Sequence, residues 1–276
     1  MSMTVNTNVA ANRAMTQLNK AGRALSGSFA RISSGLRISK AADDSAGLGV
    51  AENLKVAAKS AKVAQRNVAD GISMIAVAEG ASSEVGSILG RMRELAVQSA
   101  SGTLGDAERL YVQDEFEALS AEVDRISGVT EFNGQKLTDG SVPTVGVQVG
   151  IHATADDQVD ITLGDLSAVT LGVDTGAVDM STTTGASDAL DAIDSAIEMV
   201  SGYRSDYGAA ENRLNSALNN LETFAENTTA AESQIRDADF GYETAEMSKN
   251  QIMQQAGTAI LAQAKSMNQG ALQLLQ

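Results

Sequence analysis

The sequence predicts a mainly α protein, a bundle of long helices with terminal coiled-coil helices and a small β-hairpin insertion. Three observations carry that class. Alanine, the best helix former, supplies about 44 of the 276 residues. Aromatics are only 3% of the chain and Trp is absent, so the largest core-filling side chains are scarce and helices must pack closely on small ones. Apolar residues also recur at helical spacing everywhere except about residues 130–185.

Taken in order, the first apolar row is Met15, Leu18, Gly22, Leu25, Phe29, Ile32 and Leu36, whose alternating steps of three and four make a heptad seam. Ser33-Ser34-Gly35 ends it, since glycine accepts the left-handed turn that stops a helix. Asp43 and Asp44 are placed to cap the following run, where carboxylates meet the positive end of the helix dipole. Its stripe is Ile75, Ala78, Ser82, Val85, Leu89, Met92 and Ala96, and Ser101-Gly102 with Gly105 breaks it. Asp106 is the expected cap of the next helix, striped by Val112, Phe116, Leu119, Val123 and Ile126. After Gly128 the texture changes to Thr, Val, Gly and Asp, and VGVQVGIHATADDQVDITL alternates with the period of two strands joined by a turn. Helical period returns with Leu190, Ile193, Ile197, Val200, Tyr207, Leu214, Leu218 and Leu221. The last row, Met253, Gly257, Ile260, Ala264, Met267, Ala271 and Leu274, sets large residues every seventh position with small ones between.

Composition removes several function classes. With no Cys there is no disulfide scaffold, thiolate metal site or Cys nucleophile. One histidine, His152, on an alternating segment, leaves no His-built metal centre and only one conceivable catalytic triad. Asp156, Asp157, Asp160 and Asp165 lack the spacing, glycine and terminal Glu of a calcium loop and read as solvated turn residues. Gly47-Leu48-Gly49 follows no strand, so it is not a phosphate cradle. Ser181–Thr184 reads as an exposed hydroxyl turn open to O-glycosylation, whereas the Asn227-Thr228-Thr229 sequon falls within a helical run. No metal or cofactor is expected, and no enzymatic constellation is present.

The net charge is −15, unevenly placed. Residues 1–40 carry six basic side chains and no acid, and no acid follows Glu246. Residues 101–200 carry nineteen acids against Arg109, Arg125 and Lys136. Such a balance opposes nucleic-acid binding. No stretch reads as a membrane span of roughly 18 apolar residues, and the N-terminus lacks the apolar core of a cleaved secretory signal.

A terminal helix of residues 5–34 is ~45 Å long. Its single row of large residues at ~1.5–3 kcal/mol each does not offset ~1–2 kcal/mol of backbone entropy per residue. Alone, the ends are expected to be disordered and to fold only against partners, which is how an assembly subunit behaves. The seam residues expected to join subunits are Leu18, Leu25, Phe29, Ile32, Met253, Ile260, Met267 and Leu274.

Several words within this pattern are distinctive: Arg31-Ile32-Ser33-Ser34-Gly35-Leu36-Arg37-Ile38, Ala42-Asp43-Asp44-Ser45-Ala46-Gly47, Arg66-Asn67-Val68-Ala69-Asp70-Gly71-Ile72-Ser73, Arg93-Glu94-Leu95-Ala96-Val97-Gln98-Ser99-Ala100, Glu131-Phe132-Asn133-Gly134, Gln254-Gln255-Ala256-Gly257-Thr258 and Leu261-Ala262-Gln263-Ala264. Their order over roughly residues 1–140 and 188–276 resembles the bacterial flagellins, in a short form lacking large outer domains. The resemblance implies a structural subunit that self-assembles into the flagellar filament for motility. It implies an inner coiled-coil layer, residues 1–45 with 236–276, and a central helical domain, residues 46–235, holding the β insertion at about 130–185. It further implies secretion through the flagellar type III route to the extracellular flagellum. The implied partners are other subunits, the filament cap, hook–filament junction proteins and an export chaperone. Toll-like receptor 5 is a further implied partner, through Arg91, Leu95 and Glu115; Gly90 stands where the family often has Gln. A hook–filament junction protein and a secreted adhesin or ligand are the alternative readings.

Overall fold

The computed structural model describes residues 7–273, with side chains through residue 266. Among the described residues the five expected helices form in order, α1 Val9–Ser34, α2 Ser45–Ala100, α3 Asp106–Val129, α5 Thr183–Arg236 and α6 Phe240–Gln273, and a short α4, Ala168–Leu171, forms within the segment expected to be β. Two antiparallel hairpins lie between α3 and α4: β1 Glu131–Phe132 with β2 Gln135–Lys136, and β3 Thr144–Gln148 with β4 Gln158–Thr162. The chain divides into two compact units, Met1–Ala57 with Glu226–Gln276, and Ala58–Ala225.

In unit Ala58–Ala225 the helix stripes become the core. All seven residues of the Ile75–Ala96 row are buried. Val85, Leu89 and Met92 pack with Val112, Phe116 and Val123 of α3 and with Ile193 and Val200 of α5, closed by Leu166, Leu171 and Met180. A second cluster joins Ala61, Ala64 and Val68 of α2 to Tyr207, Leu214 and Leu221 of α5, with the inward residues Val147, Val159 and Ile161 of the β3–β4 hairpin. Strand alternation explains that selection: Val145 faces Ile161 and Val147 faces Val159, while Thr144, Asp160 and Thr162 point to solvent. Tyr203 packs against both clusters.

Polar groups close the irregular segments. Arg109 is buried and spans the α2–α3 turn, its guanidinium donating to the carbonyls of Ser99, Ser101 and Leu104. The Ser99 carbonyl lies in the last turn of α2, where carbonyls lack an intrahelical partner, and the other two lie in the turn beyond. The hydroxyl of buried Tyr207 accepts the Gly164 amide at 3.0 Å, and burial pushes its ionisation upward. β1 and β2 are joined by Asn133-Gly134, both at positive φ, the two-residue turn whose twist suits a hairpin.

Five expectations change in detail. Asp106 is the first residue of α3 rather than its cap; Gly105 holds the cap position without a side-chain bond. Asp43 and Asp44 divide their work: Asp44 Oδ1 accepts the Gly47 amide at the start of α2, and Asp43 Oδ2 ties back the amides of Ser39 and Lys40. His152 sits in the loop between β3 and β4, exposed, not on a strand. One 18-residue window of α2 reaches a mean hydropathy of 1.2, so a stretch of span-like composition does exist; 39% of it is buried inside the protein. The hydroxyl run at residues 181–184 partly serves as a cap, with Thr182 Oγ1 accepting the Gly185 amide as α5 begins, and Thr228 of the sequon is buried within α5.

Phe116 is fully buried, whereas its neighbour Tyr111 is 74% exposed. Phe116→Ala is expected to cost ~3–5 kcal/mol of unfolding free energy in urea titration, and Tyr111→Ala to stay within ~0.5 kcal/mol.

Candidate subunit interface

In unit Met1–Ala57 with Glu226–Gln276, α1 and α6 lie against each other. Each terminal helix thus finds a first partner within its own chain. The row of α1 turned toward α6 is Ala14, Leu18, Ala21, Leu25, Ser28 and Ile32, half-buried or buried. On α6 the matching row is Glu243, Met247, Asn250, Gln254, Gly257, Leu261 and Ala264. Leu18 is the knob and Gly257 the groove: a Cβ on Gly257 would stand 2.9 Å from Leu18 Cδ1. Only glycine allows that approach without displacing the leucine.

The ends of the pair are fastened by polar contacts. Asn8 caps α1 by accepting the Ala11 amide and also donates to the Ala264 carbonyl at 2.9 Å. Gly35 ends α1 at φ 73. Beyond it Leu36 bridges Asp237, and the Ala238 amide donates to the Gly35 carbonyl at 2.9 Å. Asp239 then caps α6 by accepting the amides of Gly241 and Tyr242. Beside this crossing Arg31 Nε donates to Glu243 Oε1 at 2.7 Å, and Nη2 reaches Ser28 Oγ at 3.3 Å. Glu243 is 5% exposed. Its bond to Arg31 holds the carboxyl below the ordinary Glu range against a burial that pushes upward. Arg236 makes a second tie to Glu52 at 2.9 Å.

This geometry divides the expected seam. Leu18, Leu25 and Ile32 are spent on the intrachain pair. Phe29 is 65% exposed, Ile260 59% exposed, and Met253 is exposed as well. The side chains of Met267 and Leu274 lie outside the described residues. The register differs from the heptad reading by one position at alternate steps: Ala14 and Ser28 replace Met15 and Phe29, and Ala21 is buried beside Gly22, which stays half-buried near Gln254. Small residues win those places because they let the helix axes approach. The larger neighbours Met15 and Phe29 turn outward, joined by Val9, Phe240, Tyr242 and Ile252. On one side an open groove of about 860 Å³ runs along the pair, with Val9, Ala14, Met253 and Ile260 in its lining and Arg13 and Lys20 among its basic members.

In the other unit, Arg91 and Glu115 meet across α2 and α3 at 2.7 Å, and Arg91 also holds Glu94 at 2.9 Å. These acceptors raise the Arg91 ionisation further. Leu95 does not join them. It is 1% exposed and packs in the α2–α3–α5 core. Helical spacing sets Arg91 and Leu95 on one row, but that row borders the core: the long Arg stem carries its charge outward while the short Leu stays inside. The apolar side chains that do face solvent nearby are Val97 on α2 and Leu110 and Tyr111 on α3. Stripe counting overlooks them because they lie beside the core row; an aromatic residue adjacent to a stripe, as Tyr111 is to Val112, is the available signal.

The model for the bacterial flagellin N-terminal helical region matches residues 5–143, and that for the C-terminal helical region matches residues 190–275. The chain belongs to the bacterial flagellins. It is 45% identical over 246 residues to a flagellin of Halalkalibacterium halodurans, covering 89% of this chain and 90% of that one. Against a flagellin of Bacillus subtilis the identity is 39% over 306 residues, covering 99% and 100%. A solved structure from Vibrio parahaemolyticus, assigned to a flagellar hook-associated protein, shares the fold at TM-score 0.58 and 14% identity, covering 71% of this chain and 100% of that one. The helical fold is therefore common to filament and hook-associated proteins, and it is the sequence that places this flagellin among the former.

Glu243 makes the terminal pair of this flagellin sensitive to acid. Because its folded pKa is depressed, its contribution is complete above the unfolded value of ~4.3 and is lost as pH falls through the folded one. Urea midpoints for the terminal helices are expected to drop below about pH 4, and Glu243→Gln to flatten that acid limb while lowering the midpoint at neutral pH. An unchanged acid limb in the variant would assign the sensitivity to other carboxylates.

Proposed function

We propose that the terminal pair is where one subunit of the flagellar filament binds the next. The protein is a flagellin and a structural subunit of that filament. The single observation carrying the interface is the outward apolar set on α1 and α6, Phe29, Met253 and Ile260 with Met15 and Ile252, which one chain leaves uncovered. Each such side chain is worth ~1.5–3 kcal/mol when a neighbour removes it from water, and Met253 and Ile260 share the lining of the open groove along the pair, the kind of exposed apolar surface that marks an interaction site. The acid-free ends suit the inside of an assembly, and the acidic middle suits its solvated exterior, where like charge keeps filaments apart. We assign the chain no catalytic role. Export to the extracellular flagellum and contacts with the cap, junction proteins and an export chaperone follow from the family reading.

The Arg91–Glu115 pair is our candidate contact for Toll-like receptor 5. It is exposed on two neighbouring helices, and its forked guanidinium suits recognition of a charged partner. Leu95 supports that patch from beneath and does not touch a partner.

Removing residues 1–30 or 250–276 should leave a folded Ala58–Ala225 unit that no longer polymerises from purified monomer, as judged by sedimentation and electron microscopy. Ile260→Asp should leave a soluble monomer, because the residue is exposed there, and abolish filaments, where the charge is buried without a partner. Normal filaments from these variants would remove the terminal pair from the assembly interface.

Monomer should activate receptor reporter cells more strongly than intact filament, and Arg91→Ala with Glu115→Ala should weaken the monomer signal at unchanged stability. Leu95→Ala should instead lower unfolding free energy by ~2–5 kcal/mol, as a core truncation does. Equal signalling by monomer and filament would sink the patch.

A further inference from the structure

Unit Ala58–Ala225 has ten basic side chains. Arg91, Arg93, Arg125, Lys136 and Arg204 are paired with carboxylates of the same unit, and Arg109 is buried against carbonyls. Among the described residues, Lys59, Lys62, Arg66 and Arg213 have no carboxylate within 4.0 Å. Three of these four fall at i, i+3 and i+7 on α2, a single stripe. Val63 stands within it, 45% exposed. The stripe borders a shallow hollow of about 390 Å³ between α2 and the β3–β4 loop, whose lining includes Val63, Asn67, Ile151 and His152.

The complementary surface lies elsewhere on the same unit. At the start of α3, Leu110 and Tyr111 are the most prominent exposed apolar neighbours, at 55% and 74%. Exposed Asp106, Glu108, Asp114 and Glu117 surround them in sequence, and none of these four is engaged by a basic side chain. One surface is a cationic stripe beside an apolar hollow, the other an apolar knob in an acidic setting. Their charges are opposite in sign, and the aromatic knob finds apolar lining in Val63, Ala64 and Ile151 of the hollow.

We propose that Tyr111 of one flagellin copy seats in the Val63–Ile151 hollow of the next, while the acidic start of α3 meets Lys59, Lys62 and Arg66. The partner is thus a second copy of this chain, and the proposal rests on the filament reading above. Because the two surfaces differ, the contact is heterologous and each copy presents both halves. Repeated without closure, such a contact builds an open helical polymer, whereas a self-complementary patch would stop at a dimer. It also gives the cationic stripe the counter-charge that its own unit withholds from it.

The chain has no cysteine, so cross-linking reads the contact directly. Val63→Cys and Tyr111→Cys are placed together in the full chain, polymerised from purified monomer and oxidised. A ladder of dimers, trimers and higher species on non-reducing gels is expected from the double variant, and no ladder from either single one. Charge reversal gives a second readout: Lys62→Glu and Asp114→Lys should each raise the critical concentration for polymerisation by about tenfold, and combining them should restore it. Filaments that form without the ladder, or reversals that neither weaken assembly nor rescue each other, overturn this contact and leave the filament reading standing. A wild-type chain that never polymerises overturns the filament reading itself.

Discussion

Each terminal helix carries more apolar rows than one partner helix can cover. α1 and α6 bury one row apiece against each other, through Leu18 on Gly257 and the small residues on either side. A second row, with Phe29 on one helix and Met253 and Ile260 on the other, stays in water. A two-helix pair has no geometry that hides both. On the proposal that neighbouring subunits cover that row, completing the fold of this region and assembling it are one process.

The polar contacts at the crossing of the pair serve a different purpose. Apolar rows with heptad spacing tolerate slippage by a whole repeat, because the pattern matches itself after each shift. Arg31 with Glu243, and the Gly35–Ala238 hydrogen bond, exist in only one register. Breaking the ion pair leaves a buried carboxylate without its partner, a larger penalty than the pair's own net gain. Register is thereby fixed by groups that contribute little to the burial of apolar surface.

The unit from Ala58 to Ala225 follows the opposite logic. Its stripes on α2, α3 and α5 face one another and are consumed internally, and the hairpin closes the second cluster with Val147, Val159 and Ile161. Its surface is left to charge: six ion pairs tie five basic side chains to carboxylates of the same unit, and surface pairs of this kind add little to stability. The cations without a partner, and the apolar residues beside the stripes, are the groups on this surface that no neighbour within the unit satisfies.

The sequence by itself determined the helix order, the breaks at Gly35 and Gly102, the hairpin in the alternating segment and the core rows of Ile75–Ala96 and Val112–Ile126. These features are local, since periodicity, capping chemistry and turn residues act over one or two turns of chain. Tertiary structure decided what local pattern leaves open. It placed Ala14, Ala21 and Ser28 in the terminal seam and turned Met15 and Phe29 outward, because the distance between two helix axes is a property of the pair. It buried Leu95 and left Arg91 with Glu115 at the surface, because a residue at the edge of a stripe is claimed by whichever neighbouring helix reaches it. And it brought Arg31 to Glu243, 212 residues apart in sequence, a meeting that depends on the fold returning the last helix to the first.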